Sequence, residues 1–285
     1  ICNNYCFFTE SMRMQNEANL EYRVMLKTLL KTAVVNREMQ VIYQPRVDMQ
    51  RKIVGVEALL RWKNAENGII PPEIFIPIAE EAGLIQGLEE WAFSEVCKDY
   101  VQWCLQDLPK LQVSVNISGQ RLRQKDFLAF ITKTLEALGL SASFLVFEVH
   151  ETEIMQDLTD IKTIFDQLQQ QGIKIAVDNF GSGYTSLNYL QQLAVDEFKI
   201  DAQFVRQLDH AYESNSVVQA IVGLAHSLKK SVTAMGVENE MQLTHLRVLG
   251  CTAMQGYLFA QPISAKEVSI LLSRSLYLIS EKSRS

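Results

Sequence analysis

Polar residues stand at or near the ends of apolar, β-branched runs at six places in this chain. Run 52–60 carries Glu57, run 112–117 holds Asn116, run 144–149 carries Glu148, run 173–178 ends on Asp178 with Asn179 next, run 196–200 carries Lys199, and run 252–256 supplies Gln255. A single carboxylate at a strand end is ordinarily a cap or an ion-pair partner. Several carboxylates and a carboxamide at one mouth are different, because burying them together is unfavourable unless a cation neutralises them. The donors are all oxygens, with neither Cys nor His among them, which selects hard cations such as Mg²⁺ or Mn²⁺ over zinc. Oxygen-bound divalent ions activate water and clamp phosphoryl oxygens, so a phosphate substrate is the natural expectation. Lys199 could then orient the attacking water or offset transition-state charge, while a core ion pair with Asp201 or Asp178 accounts for it equally well. Arg61, next to Trp62, offers a planar guanidinium to a phosphate, although a surface ion pair is the ordinary fate of such a residue. The turn from Asp178 to Tyr184 is Gly-rich, which alone says little. The histidines (His150, His210, His226, His245) are scattered, three of them in helical stretches, and suit core or surface roles better than ligation.

The elements that must position these groups are legible as eight β-branched runs: 40–47, 52–60, 112–117, 144–149, 173–178, 196–200, 231–235 and 252–256. Only Asp48-Met49-Gln50-Arg51 separates the first two, too little for a crossover helix, so they are expected to pair antiparallel. Helix-length segments such as 84–106, 123–138, 157–171, 213–229 and 240–249 separate the others, the pattern of parallel βα units. The expected fold is therefore α/β, a TIM-like (β/α)8 barrel of ~250 residues with an antiparallel first strand. An open doubly wound sheet is the alternative. In such a barrel the functional face lies at the carboxyl ends of the strands, where the polar residues above are found. Upstream, Leu20, Val24, Leu26, Leu30 and Val34 recur at helical spacing, which predicts an amphipathic connector helix over 14–35 and a boundary near 36. Before it, Tyr5-Cys6-Phe7-Phe8 reads as the last strand of a domain lying upstream.

Composition narrows the function classes. With 27 basic and 33 acidic residues the net charge is −6, and no run of five like charges occurs, so there is no footprint for a nucleic-acid polymer or an anionic membrane. The five cysteines are scattered without a CxxC pair, which reads as reduced thiols in a cytoplasmic protein and gives no support to structural zinc. No apolar run reaches ~18 residues, and the start lacks a basic n-region, so neither a membrane span nor a signal peptide is expected. The first residue is not Met, which suggests a chain beginning inside a longer protein.

With these residues in place, the sequence resembles the EAL domain family of cyclic di-GMP phosphodiesterases. Glu57-Ala58-Leu59 within Val56 to Trp62 looks like the signature itself. Supporting stretches are Tyr43-Gln44-Pro45, Val115 to Ser118, Phe147-Glu148-Val149, Asp178 to Tyr184, Phe198 to Asp201, Gly236-Val237-Glu238 and Gln255-Gly256-Tyr257, and the match runs from about 37 to 272. Residues 4–10 are similar to the end of the GGDEF domains that precede EAL domains in tandem proteins. The resemblance implies three segments: a remnant of an upstream GGDEF-like domain over 1–13, a connector helix over 14–36 and an EAL-type barrel over 37–285.

It further implies binding of cyclic di-GMP and its linearisation to pGpG with two Mg²⁺ or Mn²⁺ ions. By position, Glu57, Asn116, Glu148 and Asp178, with Asn179, match the family's metal ligands and Lys199 its catalytic lysine. Gln44 and Arg61 match nucleotide contacts, Gln255 a support of the metal-water network, Glu151 the glutamate that holds the Gly-rich loop, and Glu238, which ends the Gly236-Val237-Glu238 stretch, belongs with Lys199 and Gln255 to the implied catalytic set. Homodimerisation through helices beside that loop is implied as well, with Tyr184, Leu187 and Tyr189 suited to the interface. Two departures stand out. Hydrolysing members read Asp-Asp-Phe-Gly where this chain has Asn179, and Glu-Gly-Val-Glu where it has Met235. A thioether neither takes a proton nor binds a hard cation well. Three functions remain in play: a catalytically degenerate receptor of cyclic di-GMP with its second metal site weakened, a working phosphodiesterase, and a protein-interaction scaffold without nucleotide binding. His150, where Thr is usual, is a further departure.

Overall fold

The computed structural model describes residues 10–154, 158–182, 191–209 and 215–282, and it divides into two units, each with its own hydrophobic core. The larger comprises residues 41–59 and 93–285, the smaller residues 1–40 and 60–92. Tyr5 to Phe8, Tyr184, Leu187, Tyr189 and His210 lie outside the described residues.

Nine strands are present among the described residues: β1 Met39–Asp48, β2 Ile53–Asn64, β3 Gly68–Ile70, β4 Gln112–Asn116, β5 Leu145–His150, β6 Lys174–Phe180, β7 Glu197–Ile200, β8 Ser231–Ala234 and β9 Ala253–Gln255. Eight of them follow one another as β1-β9-β8-β7-β6-β5-β4-β2, and β2 pairs back onto β1, so the sheet closes and the open alternative falls. From β2 through β4 to β9 the neighbours are parallel; β1 runs antiparallel to β9 and to β2. The β1–β2 reversal is local chemistry. The Asp48 carboxylate accepts the backbone N–H of Gln50 and of Lys52, both at 2.9 Å, and Arg51 takes φ 63°, a left-handed position that lets the chain turn back at once.

Alternation along each barrel strand sends one set of residues outward beneath the helices. Val113, Val115, Phe147, Val149, Ile175, Val177, Phe198, Ile200 and Val232 belong to one continuous core with Phe93, Val96, Phe127, Ile131, Phe165, Leu168, Val222 and Leu246. Each such side chain contributes roughly 1.5–3 kcal/mol on burial, so the driving force for closure lies between strands and helices, leaving the barrel interior free for polar groups. The covering helices include Phe127–Ala137, Leu158–Gln170, Asn215–Ser227 and Glu240–Leu249, each within a few residues of its predicted segment. The last starts at a capping box on Asn239 and ends at Gly250, whose φ of 89° continues the chain in a conformation that side chains resist.

In the smaller unit the predicted connector helix spans Glu10–Ala33. Leu26, Leu30 and Ala33 on one face share a core with Trp62, Ile70, Phe75, Ile78 and Leu88. The apolar run predicts a second strand ending at 60, whereas β2 continues to Asn64 and pairs with the short β3. Asn64 sets that turn, its carboxamide oxygen accepting the amides of Glu66 and Asn67 at 3.2 and 3.0 Å. Among the described residues, no helix is long and apolar enough to cross a membrane.

Candidate functional site

Inside the barrel the inward-facing residues form two polar levels. The level nearer the amino ends of the parallel strands is built on Arg46 of β1 and Glu197 of β7, both buried. The guanidinium Nη1 reaches the two carboxylate oxygens at 2.9 and 3.0 Å, Nη2 donates to Gln112 Oε1 at 3.3 Å, and Thr233 Oγ1 donates to Glu197. Gly55 makes room for the guanidinium, since a Cβ there would lie 3.1 Å from Arg46 Nη2 and 2.8 Å from the carbonyl of Gln112. None of these residues belongs to a motif. The alternation that turns Lys199 inward is the signal that would have found Glu197, two positions earlier on the same strand.

The upper level, toward the carboxyl ends, gathers most of the predicted residues. Lys199 is fully buried; its Nζ donates to Glu57 Oε2 at 3.0 Å and to Glu148 Oε2, and lies 3.5 Å from Asp178 Oδ1. Asp201, the other partner considered for it, instead caps the following helix by accepting the Gln203 amide at 2.7 Å. Asn116 Nδ2 donates to Glu57 Oε1 at 3.1 Å. Gln255 Nε2 donates to Glu57 Oε2 at 2.7 Å and to Gln44 Oε1 at 3.1 Å, and Gln44 Nε2 passes on to the carbonyl of Ala260 at 3.3 Å. Glu57, Asn116, Glu148, Asp178, Lys199, Gln255 and Gln44, from seven different strands, thus form one connected network.

The remaining predicted residues are placed around it. Buried Glu151 accepts the Gly181 amide at 2.9 Å, tying the Gly-rich turn to the end of β5. Asn179 adopts φ 52°, a left-handed conformation that Asn tolerates better than most residues, and its carbonyl accepts the Ser182 hydroxyl at 2.7 Å. Met235 directly follows β8 and its amide donates to Ile200 O at 3.2 Å. Glu238 is exposed, its amide bound to Gln242 Oε1 at 2.7 Å, and no described hydrogen bond joins its side chain to the Lys199 network. His150 ends β5 with Nδ1 2.9 Å from Thr152 Oγ1. Arg61 belongs to the smaller unit, where its Nη1 donates to the carbonyl of Leu60 at 2.8 Å.

Three carboxylates around one ammonium fix the electrostatics. Burial, and then the neighbouring charge of Glu57, push the Glu148 carboxyl up to about 8, against the pull of Lys199. Burial works against ionised Glu57 too, yet Lys199 and the hydrogen bonds from Lys199, Asn116 and Gln255 hold it below the usual carboxylate range. For Lys199 burial alone would favour the neutral amine, but Asp178, Glu148 and Glu57 keep it charged well above the ordinary lysine range. Glu148 Oε1 is buried without a hydrogen-bond donor, and Asp178 Oδ1, likewise buried without one, faces the Lys199 ammonium at 3.5 Å. Buried oxygens are normally satisfied, and a hard, oxygen-seeking cation is the ligand that would satisfy carboxylate oxygens here. Glu148 and Asp178 would hold it, with Glu57 and Asn116 alongside.

Comparison with known proteins is consistent with this geometry. The EAL domain family matches residues 28–262. The chain is 36% identical over 267 residues to the bifunctional diguanylate cyclase/cyclic di-GMP phosphodiesterase MucR of Pseudomonas aeruginosa, covering 93% of this chain and 38% of that protein. It is 31% identical to the cyclic di-GMP phosphodiesterase NbdA of the same organism, covering 92% of this chain and 33% of that protein. The chain therefore spans 33–38% of the length of these relatives. Among solved structures, the PaMucR phosphodiesterase in complex with c-di-GMP superposes with a TM-score of 0.83 at 35% identity, covering 86% of this chain and 99% of that one.

Proposed function

The chain belongs to the EAL domain family, and from that premise we propose that it is a cyclic di-GMP receptor whose hydrolytic step is impaired. The observation that carries this reading is the pairing of an intact network around Lys199 with side chains at 179 and 235 that bear no charge. Glu148 and Asp178 offer oxygens to a divalent cation of the Mg²⁺ or Mn²⁺ class, and Gln44 and Gln255 offer amides and carbonyls beside it. The cation, when bound, would clamp phosphate oxygens and polarise water. Lys199, held charged among three carboxylates, stabilises negative charge at the barrel mouth but holds its protons too tightly to serve as a base. Removing a positioned general base lowers a rate by roughly 10²–10⁴-fold. Met235 occupies the position where the family resemblance expects that base, so nucleotide is held and turned over slowly.

We further propose, from the resemblance, the segment division at 13 and 36, an upstream GGDEF-like domain in the same chain and homodimerisation; MucR, named for both activities, is the relative that favours the tandem arrangement.

The test is to incubate the protein with cyclic di-GMP and Mg²⁺ or Mn²⁺, measuring bound nucleotide and released pGpG together, beside the double variant Met235→Glu/Asn179→Asp. Binding without appreciable release is expected for the wild type, with release restored by orders of magnitude in the pair and by much less in either single change, because base and metal act as one unit. Wild-type release as fast as that of the pair would identify a working phosphodiesterase. No binding at any metal concentration would identify a scaffold.

A further inference from the structure

From the way the two polar levels share their strands, we infer that the buried Arg46–Glu197 ion pair positions the barrel mouth, setting where Gln44 and Lys199 stand for the nucleotide. The inference rests on the reading of the mouth as a nucleotide site and adds two positioning residues that lie below it.

The lower level is a tie across the barrel interior. Arg46 on β1 donates to both carboxylate oxygens of Glu197 on β7 at 2.9 and 3.0 Å and to Gln112 on β4 at 3.3 Å, and Gly55 on β2 leaves the space that the guanidinium fills. Each of these four strands also carries a member of the upper network. Gln44 lies two residues from Arg46, Glu57 two from Gly55, Lys199 two from Glu197 and Asn116 four from Gln112, spacings that keep residues on one face of a strand. Fixing the lower members against one another therefore fixes the heights of the upper ones.

The tie crosses the barrel where the backbone specifies register least. Between β1 and β7 lie only β8 and β9, of four and three residues, and β7 itself has four. In the β1–β9 pairing Arg46 stands opposite Gln255, whose carboxamide reaches Gln44 at 3.1 Å and Glu57 at 2.7 Å. A slip of one residue along so short a seam would turn Gln44 out of the interior. Apolar side chains would fill the same space without opposing that slip, because dispersion contacts have little direction, whereas a guanidinium and a carboxylate hydrogen-bond only in a narrow range of geometries. Stability does not explain the pair. Buried ion pairs such as this one, 4% and 6% exposed, at best break even with apolar residues of the same volume once desolvation is counted.

Arg46→Met with Glu197→Met separates position from stability. The double variant should unfold in urea near the wild type, yet bind cyclic di-GMP about tenfold or more weakly, the equivalent of one lost charged hydrogen bond. Its nucleotide-free crystal structure should show the Gln255–Gln44 contact opened past about 3.5 Å, where a water can stand between the two. Arg46→Lys, which keeps a cation for Glu197, should retain most of the affinity and the contact. Val232→Ala, an outward-facing core change that lowers stability without touching the tie, should leave both as they are. A double variant of restored stability that keeps wild-type affinity, or keeps the Gln255–Gln44 contact, would overturn the inference, as would equal weakening by Val232→Ala. Should the double variant fail to fold, Arg46→Gln with Glu197→Gln, a neutral polar pair, is read in the same way. A wild type that binds no nucleotide would defeat the receptor reading, and the crystallographic contact alone would then decide the positioning.

Discussion

Glu148 should make the metal-free protein less stable as pH rises through the neutral range, against the usual behaviour of carboxylates. Its carboxyl is pushed from an ordinary 4.5 up to about 8, first by burial and then by Glu57. A folded-state pKa above the unfolded one means that the native protein binds the proton more tightly. The contribution of Glu148 is therefore fully favourable below about pH 4.5 and is lost as pH climbs to about 8. The full gap corresponds to on the order of 5 kcal/mol, of which about 3 kcal/mol falls between about pH 5.5 and 8.0. The other two members of the network do not oppose it there. Glu57, with a lowered pKa, loses its contribution only in acid, below the ordinary carboxylate value, and Lys199, with a raised one, only in strong alkali.

Glu148→Gln isolates the effect, since the carboxamide keeps the shape and can still accept from Lys199 while removing the ionisation. Urea unfolding in the presence of EDTA at about pH 5.5 and 8.0, for wild type and variant, gives the comparison directly. The variant should gain on the wild type by about 3 kcal/mol between the two pH values. Mg²⁺ should abolish the wild-type slope, because an ion on Glu148 Oε1 and Asp178 Oδ1 binds the ionised form, and its binding near pH 7 should release a proton detectable by calorimetry in buffers of different ionisation enthalpy. Parallel stability curves for the two proteins would refute the argument at its root, since they would mean that Glu148 ionises in the folded barrel as readily as in water.

Three further outcomes come from particular contacts. Arg46→Met alone strands buried Glu197 and should destabilise the protein by about 3–5 kcal/mol in urea, while adding Glu197→Met should recover most of that loss, because an apolar pair replaces a desolvated ion pair. Gly256→Ala should abolish soluble expression, as its Cβ would sit 2.1 Å from Val237 O and 2.2 Å from Val237 N; Gly87→Ala, with nothing within 4 Å, should be tolerated and serves as the control. Glu151→Ala removes the acceptor of the Gly181 amide, and hydrogen exchange at that amide should speed up by roughly 10–150-fold, the equivalent of the ~1.5–3 kcal/mol of a charged hydrogen bond, if the turn opens locally.

The barrel was legible in the sequence because its driving force is written locally. Outward-facing Val113, Val115, Phe147, Val149, Ile175 and Val177 produce the apolar runs, and the short link after Asp48 dictates the one antiparallel reversal. The mouth was legible for a related reason: Asn116, Glu148, Asp178 and Gln255 interrupt or close those runs where parallel strands end. β3 was missed because Gly68-Ile69-Ile70 is too short to show a period, although the Asx turn at Asn64 marks its hairpin. The lower level was illegible for a deeper reason. Arg46 and Glu197 are 151 residues apart, and each alone looks like a charge at a strand edge. Only closure of the sheet brings them face to face, and closure is a property of the whole set of strands.

That lower level also accounts for how the barrel holds its architecture apart from the residues at its mouth. β7 carries Glu197 and Lys199 two residues apart on one face, and β1 carries Arg46 and Gln44 in the same relation, so the buried ion pair fixes the height of the lysine and the glutamine independently of the loops at the barrel mouth. Asn179 and Met235 lie outside this lattice. Asn179 takes its left-handed conformation within β6, where the β6–β7 register shifts, and Met235 lies one residue past β8, its backbone amide bound to Ile200 O. Both departures from the pattern that the resemblance gives to hydrolysing members thus fall at the carboxyl ends of β6 and β8, outside the hydrogen bonds that join Lys199, Glu57, Gln255 and Gln44 across the barrel.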